Sequence, residues 1–139
     1  MDANLYHDLI MGQSVTGILH LINKTPIDWF SKKQSTVETV TFSSEFIAAH
    51  ICTEQAIDLC TTLCYLGVLV KSKGYMFSDN HTVIDASMIL HNKLHKRHMA
   101  LSLHHVCEAI AAGIIRFHYL PSQENPTDIL SKHWGHQQV

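Results

Sequence analysis

Four acidic residues, Asp2, Glu45, Asp79 and Asp128, stand in settings that can aim carboxylates at one centre. Asp2 opens the chain in D-A-N-L-Y-H-D, Glu45 lies in T-F-S-S-E-F-I-A-A, Asp79 in Y-M-F-S-D-N, and Asp128 in N-P-T-D-I-L-S-K. Carboxylates suit magnesium, a hard ion that favours oxygen donors and keeps several of its waters. Two such ions about 3.5–4 Å apart can drive phosphodiester hydrolysis, one activating water and the other stabilising the leaving oxygen. With twelve acids in the chain, four widely spaced ones mean little by themselves, so the weight rests on the local contexts. Taken singly, Glu45 and Asp128 also suit helix N-termini through the dipole, and Asp79 with Asn80 suits a capping turn.

In order, these four contexts resemble the ribonuclease H domain that closes the polyprotein of copia-type (Ty/copia) retrotransposons. The segments S-V-T-G-I-L-H and P-I-D-W-F-S-K-K-Q between the first two acids are similar to that family as well, so the resemblance covers nearly the whole chain. It implies a ribonuclease H-like α/β fold, a mixed sheet flanked by helices. It also implies that Asp2, Glu45, Asp79 and Asp128 are both catalytic and metal-holding, with Mg2+ as the cofactor and Mn2+ as its substitute. Glu45 is the matching acid and Glu38 is not, because an aromatic and small apolar residues follow it in E-F-I-A-A. The implied substrate is the RNA strand of an RNA–DNA hybrid, distinguished partly by its 2′-hydroxyls. The implied neighbour is the reverse transcriptase portion of the parent polyprotein, and the implied location is a virus-like particle in the cytoplasm. In the family several residues precede the first acid, whereas here Met1 does, so a truncated first strand is expected and an inactive remnant of the fold is an alternative. K-R-H-M-A-L-S-L-H-H resembles a family segment K-H-x-x-x-x-x-H, and a histidine assists product departure in some related enzymes, but for His98 and His104 a structural role on a helix packed against the sheet is expected.

Positioning the acids requires alternating elements. Gln13 to Ile22 reads as a strand with Val15, Gly17, Leu19 and Leu21 on one side, and a turn at Asn23, Lys24, Thr25 and Pro26 leads to a second antiparallel strand. From Ser43 the period lengthens, with Ile47, Ile51, Ala56, Leu59, Leu63 and Leu66 on one helix face. Ser43 or Ser44 is the expected cap and Gly67 the stop. Tyr75 to Ser78 reads as a strand and Asn80 opens a helix to about Leu90. A third helix runs from about Lys93 to Ala112, carrying Leu94, Leu101, Val106 and Ile110. Ile114 to Leu120 is a further strand, and Asn125 with Pro126 in the first helical position starts a short last helix. This alternation makes one α/β domain over residues 1–139.

At 46% apolar content and a net charge of -2, the chain has the composition of an ordinary globular domain and no global electrostatic footprint for nucleic acid. Its basic groups are local: Lys32 and Lys33, Lys71 and Lys73, and Lys93, Lys96 and Arg97. No apolar run approaches the roughly 20 residues that span a bilayer, and no secretory signal stands out, so an intracellular chain without a membrane partner is expected. Cys52, Cys60, Cys64 and Cys107 are expected as free thiols. Twelve histidines outnumber the arginines, which are only Arg97 and Arg116. On one unbroken helix His91, His95, His98 and His105 would share a face, so a transition-metal-binding module is a further alternative, opposed by the charges of Lys93, Lys96 and Arg97.

Overall fold

The computed structural model describes residues 1–5, 10–89 and 97–132, without the side chains of Arg97 and His98. The architecture is mixed α/β, helices with a sheet of strands, consistent with a ribonuclease H-like fold. Strands β1 (Asp2–Asn4), β2 (Val15–Ile22) and β3 (Thr25–Lys33) form an antiparallel sheet in that order, with Asp2 opposite Gly17. Helix α1 (Thr41–Tyr65) follows, then β4 (Gly74–Ser78), α2 (His81–Met88), α3 (Arg97–Ala111), β5 (Ile115–Tyr119) and a short α4 (Asp128–Ser131). Strands β4 and β5 pair in parallel. The Met1 amino group donates to Phe77 O at 3.0 Å, which sets β1 beside β4.

The β2–β3 turn is tighter than its composition suggests. Asn23 and Lys24 alone form the loop, at φ of 50° and 67°, while Thr25 and Pro26 already belong to β3. Two positive φ values in succession match the twist of the flanking strands. Pro26 is tolerated because β3 pairs only with β2 among the described residues.

Ile18, Phe46, Val83, Met99, Val106, Ile115 and Phe117 form the core in which α1 and α3 pack on the strands. Two expected core positions are exposed instead. Leu101 lies on the outer side of α3, whose buried stripe runs through Met99, Leu103 and Val106, and Leu66 follows the last turn of α1, beyond the sheet. Helix α2 ends at Met88, where Ile89 turns extended, short of the expected end near Leu90, and the expected start of the third helix near Lys93 falls outside the described residues.

Helix α1 starts two residues before Ser43, and neither serine caps it. Val40 is the N-cap, and Ser44 Oγ donates back to Thr41 O at 2.9 Å. Its C-terminus obeys the glycine signal: Gly67, at φ +78°, donates to Cys64 O and Val68 N–H to Leu63 O, the paired bonds of a Schellman stop. Gly113, at φ +72°, ends α3 in the same way through Ile110 O and Ala109 O. Asn80 caps α2 as expected, its Oδ1 accepting from Thr82 N at 3.0 Å and Val83 N at 3.4 Å. Replacing such a cap by alanine costs about 1 kcal/mol. Asn80→Ala is therefore expected to lower the unfolding free energy by that amount, read as a lower urea midpoint with an unchanged m-value; an unmoved midpoint would show that α2 does not depend on its cap.

The last helix departs from its sequence signal. Asn125 Oδ1 holds Thr127 N at 3.2 Å and Thr127 Oγ1 at 2.6 Å in a local turn, so Pro126 precedes the helix and Asp128 opens it. All four cysteines are free thiols. No described helix is long and apolar enough to cross a membrane.

Candidate metal centre

Alternation along β1 sends Met1 and Ala3 into the core and Asp2 to the other side of the strand. Glu45 sits on the fifth residue of α1, one step before the fully buried Phe46, and the loop that follows β4 carries Asp79. These three positions converge: Asp2, Glu45 and Asp79 each bring one carboxylate oxygen to within 4.8 Å of the others. Asp128 is not among those three. It is close enough for its charge to act on Asp2, and its own carboxylate is divided, with Oδ2 taken by the Lys132 ammonium and a buried Oδ1 that meets no hydrogen-bond partner among the described residues.

Each carboxylate is held by a neighbour. Ser131 Oγ donates to Asp2 Oδ2, Ser122 Oγ donates to Asp79 Oδ2 at 2.5 Å, and Ala3 N–H donates to Glu45 Oε1 at 3.3 Å. Glu45 Oε2 is buried and without a hydrogen-bond partner among the described residues. Two features of the scaffold bring α4 to the site. Asn125 Nδ2 donates to Met1 O at 3.3 Å, and Gly17, directly opposite Asp2, leaves room for Thr127 O, Leu130 and Ser131 N to lie against β2. Ser31 Oγ adds a bond to Leu130 O at 2.6 Å. On the far side, the Gln34 amide Nε2 donates to Thr16 Oγ1 at 2.9 Å and to Ser44 O at 2.8 Å and so fixes the start of α1 to β2.

The electrostatics show a surplus of negative charge. Burial first, then the charges of Asp2 and Asp79, pushes the Glu45 carboxyl up to about 8. Burial also raises Asp2, helped by Asp128 and Asp79 and opposed by the Ser131 hydrogen bond. The Lys132 ammonium, hydrogen-bonded to Asp128, is held above its usual range. Packing like charges this closely raises the cost of ionising them all, and a cation among them relieves it.

Ser122, Ser131, Lys132, Gln34 and Gly17 are supporting residues that the sequence reading did not single out. A signal existed for two of them: Ser131 and Lys132 follow Asp128 by three and four residues, which places them on its helix face. Ser122, Gln34 and Gly17 act through tertiary contacts that no local pattern announces.

Comparisons with known proteins point to one kind of parent. The chain is 28% identical over 131 residues to the retrovirus-related Pol polyprotein from transposon TNT 1-94 of Nicotiana tabacum, covering 94% of this chain and 10% of that protein. It is 24% identical over 121 residues to the retrovirus-related Pol polyprotein from transposon RE2 of Arabidopsis thaliana, and 23% identical over 121 residues to that from transposon RE1. The chain is similar to a segment of retrotransposon Pol polyproteins. It spans a tenth or less of the length of these relatives, covering 8% of both Arabidopsis proteins. No protein-family model and no solved structure matches it.

Proposed function

We propose that the chain is the ribonuclease H-type portion of a copia-type retrotransposon polyprotein and hydrolyses the RNA strand of RNA–DNA hybrids. The observation that carries this reading is the convergence of Asp2, Glu45 and Asp79 within 4.8 Å, on elements of an α/β fold. A phosphodiester is itself an anion, so a bare carboxylate cluster repels it, and the cluster acts on such a substrate only with cations between. The donor set fits magnesium: it is all oxygen, and Glu45 Oε2 and Asp128 Oδ1 have uncommitted lone pairs. Asp2, Glu45, Asp79 and Asp128 would hold the ions, which when bound supply an activated water and stabilise the leaving oxygen.

The protein's own contribution is orientation. Ser131, Ser122 and the Ala3 N–H fix one oxygen on each of Asp2, Asp79 and Glu45, which leaves the remaining oxygens directed by the scaffold. Lys132 neutralises part of Asp128 and tempers the repulsion at that edge of the cluster. In this reading the reverse transcriptase portion of the parent polyprotein is the covalent neighbour that generates the hybrid.

The test is cleavage of a labelled RNA–DNA hybrid with and without magnesium, with Asp79→Asn as the comparison. Magnesium-dependent cutting by the wild type that Asp79→Asn lacks supports the assignment. Equal cutting by both proteins, or none by a folded wild type, removes it.

A further inference from the structure

Away from the carboxylate cluster, His50, Glu54 and His105 each bring one ligand atom to within 4.8 Å of the others. His50 and Glu54 stand four residues apart on α1 and so share a face. Helix α3 lays His105 against them: the two imidazole rings meet edge to face with centroids 5.1 Å apart, and His50 Nε2 lies 3.6 Å from Glu54 Oε1. That separation is close to the edge of a tetrahedron with bonds of about 2.1 Å, which is about 3.4 Å. His105 Nε2 is shielded from solvent and meets no hydrogen-bond partner among the described residues, and on His50 it is Nε2 that faces Glu54, while the shielded Nδ1, likewise without a partner, is the other ring nitrogen.

We propose that His50, Glu54 and His105 form a second cation site, selective for a borderline transition metal, zinc(II) foremost, that clips α1 to α3. Imidazole nitrogens favour zinc, copper or nickel over magnesium, so the donor set distinguishes this site from the all-oxygen cluster. Two histidines and one glutamate are a known zinc set, and three protein ligands leave a fourth position for water. Glu54 is half exposed and His50 partly so, which gives an ion a path from solvent.

The alternative of a histidine site on one helix face rests on residues that are mostly outside the described ones. His91 and His95 lie outside the described residues, as does the His98 side chain, whereas His105 meets ligands from another helix. An ion held between two helices binds the folded chain and not the unfolded one, and therefore stabilises it by mass action. This site is independent of the hydrolytic reading.

Zinc titration of the full chain, followed by calorimetry and thermal melting in excess magnesium, tests the proposal. One bound zinc per chain and a raised Tm are expected, with cobalt(II) giving the visible band of a tetrahedral centre. Glu54→Gln and His105→Phe are each expected to weaken zinc binding by more than about tenfold, since even outer-shell partners are worth about that much. Zinc binding of wild-type strength in both variants overturns the proposal, as does no binding by the wild type. Imidazole nitrogen resonances of the wild-type chain provide a reading that needs no variant: saturating zinc must shift those of His50 and His105, and unmoved signals also overturn it.

Discussion

Glu45→Gln is expected to reduce magnesium-dependent cleavage of an RNA–DNA hybrid by more than about a hundredfold, above the range for outer-shell partners of a metal, while making the metal-free protein more stable at alkaline pH. Burial, reinforced by Asp2 and Asp79, raises this carboxyl from 4.5 to about 8. Between those values the folded chain holds a proton that the unfolded chain has released. The stabilisation is fully present below 4.5 and is lost as pH rises through about 8, where folding must accommodate a buried charge. The shift corresponds to at most about 5 kcal/mol. Glutamine keeps the size and one hydrogen-bond acceptor for Ala3 N–H but never ionises, so it escapes the loss. Urea midpoints in chelator at about pH 5.5 and about pH 8.5 check this. The wild type should weaken between the two conditions and the variant much less; parallel changes in both would show that Glu45 is not the group that titrates. Magnesium should restore the wild type at the higher pH and leave the variant little changed.

Gly17→Ala should damage the site without touching a carboxylate. An ideal Cβ at this position would stand 3.0 Å from Thr127 O, 3.1 Å from Leu130 Cβ and 3.2 Å from Ser131 N. Two of these are backbone atoms and cannot step aside as a flexible side chain does. The strain is of the overpacking kind, typically about 1–3 kcal/mol, and its relief is a displacement of α4 from β2. Because α4 carries Asp128 and the Ser131 hydroxyl that holds Asp2, both would move with it. A lower Tm together with a higher magnesium requirement for cleavage is the expected result. A variant that melts and cleaves as the wild type does would show that α4 is not packed through Gly17.

How far the sequence reveals this arrangement depends on the range of each contact. The E-F-I-A-A run announces its helix position well: Phe46, Ala48 and Ala49 are fully buried, and the acid before them reaches the cluster. Glycine stops at Gly67 and the Asn80 cap are equally local, and both occur. The first turn of α1 escapes notice because Ser44 satisfies its own hydroxyl within the helix, and the start is fixed instead by Gln34 reaching from the end of β3. Face assignments fail where helices outrun the core, as at Leu66, or turn their buried stripe elsewhere, as at Leu101. His50 and His105 are 55 positions apart in the sequence, and only the packing of α1 on α3 brings their rings together.

Strand β3 leaves one flank without a neighbouring strand among the described residues, and its middle displays Ile27 and Trp29 to solvent. Such a flank is a template on which a second molecule can lay a strand and begin a fibre. The sequence interrupts that growth. Pro26 has no N–H to offer, the Asp28 carboxylate already holds the Trp29 N–H at 2.9 Å, and the exposed Lys32 and Lys33 end the strand with like charges that repel their counterparts in another copy. The same nine residues thus close the sheet and keep separate molecules apart.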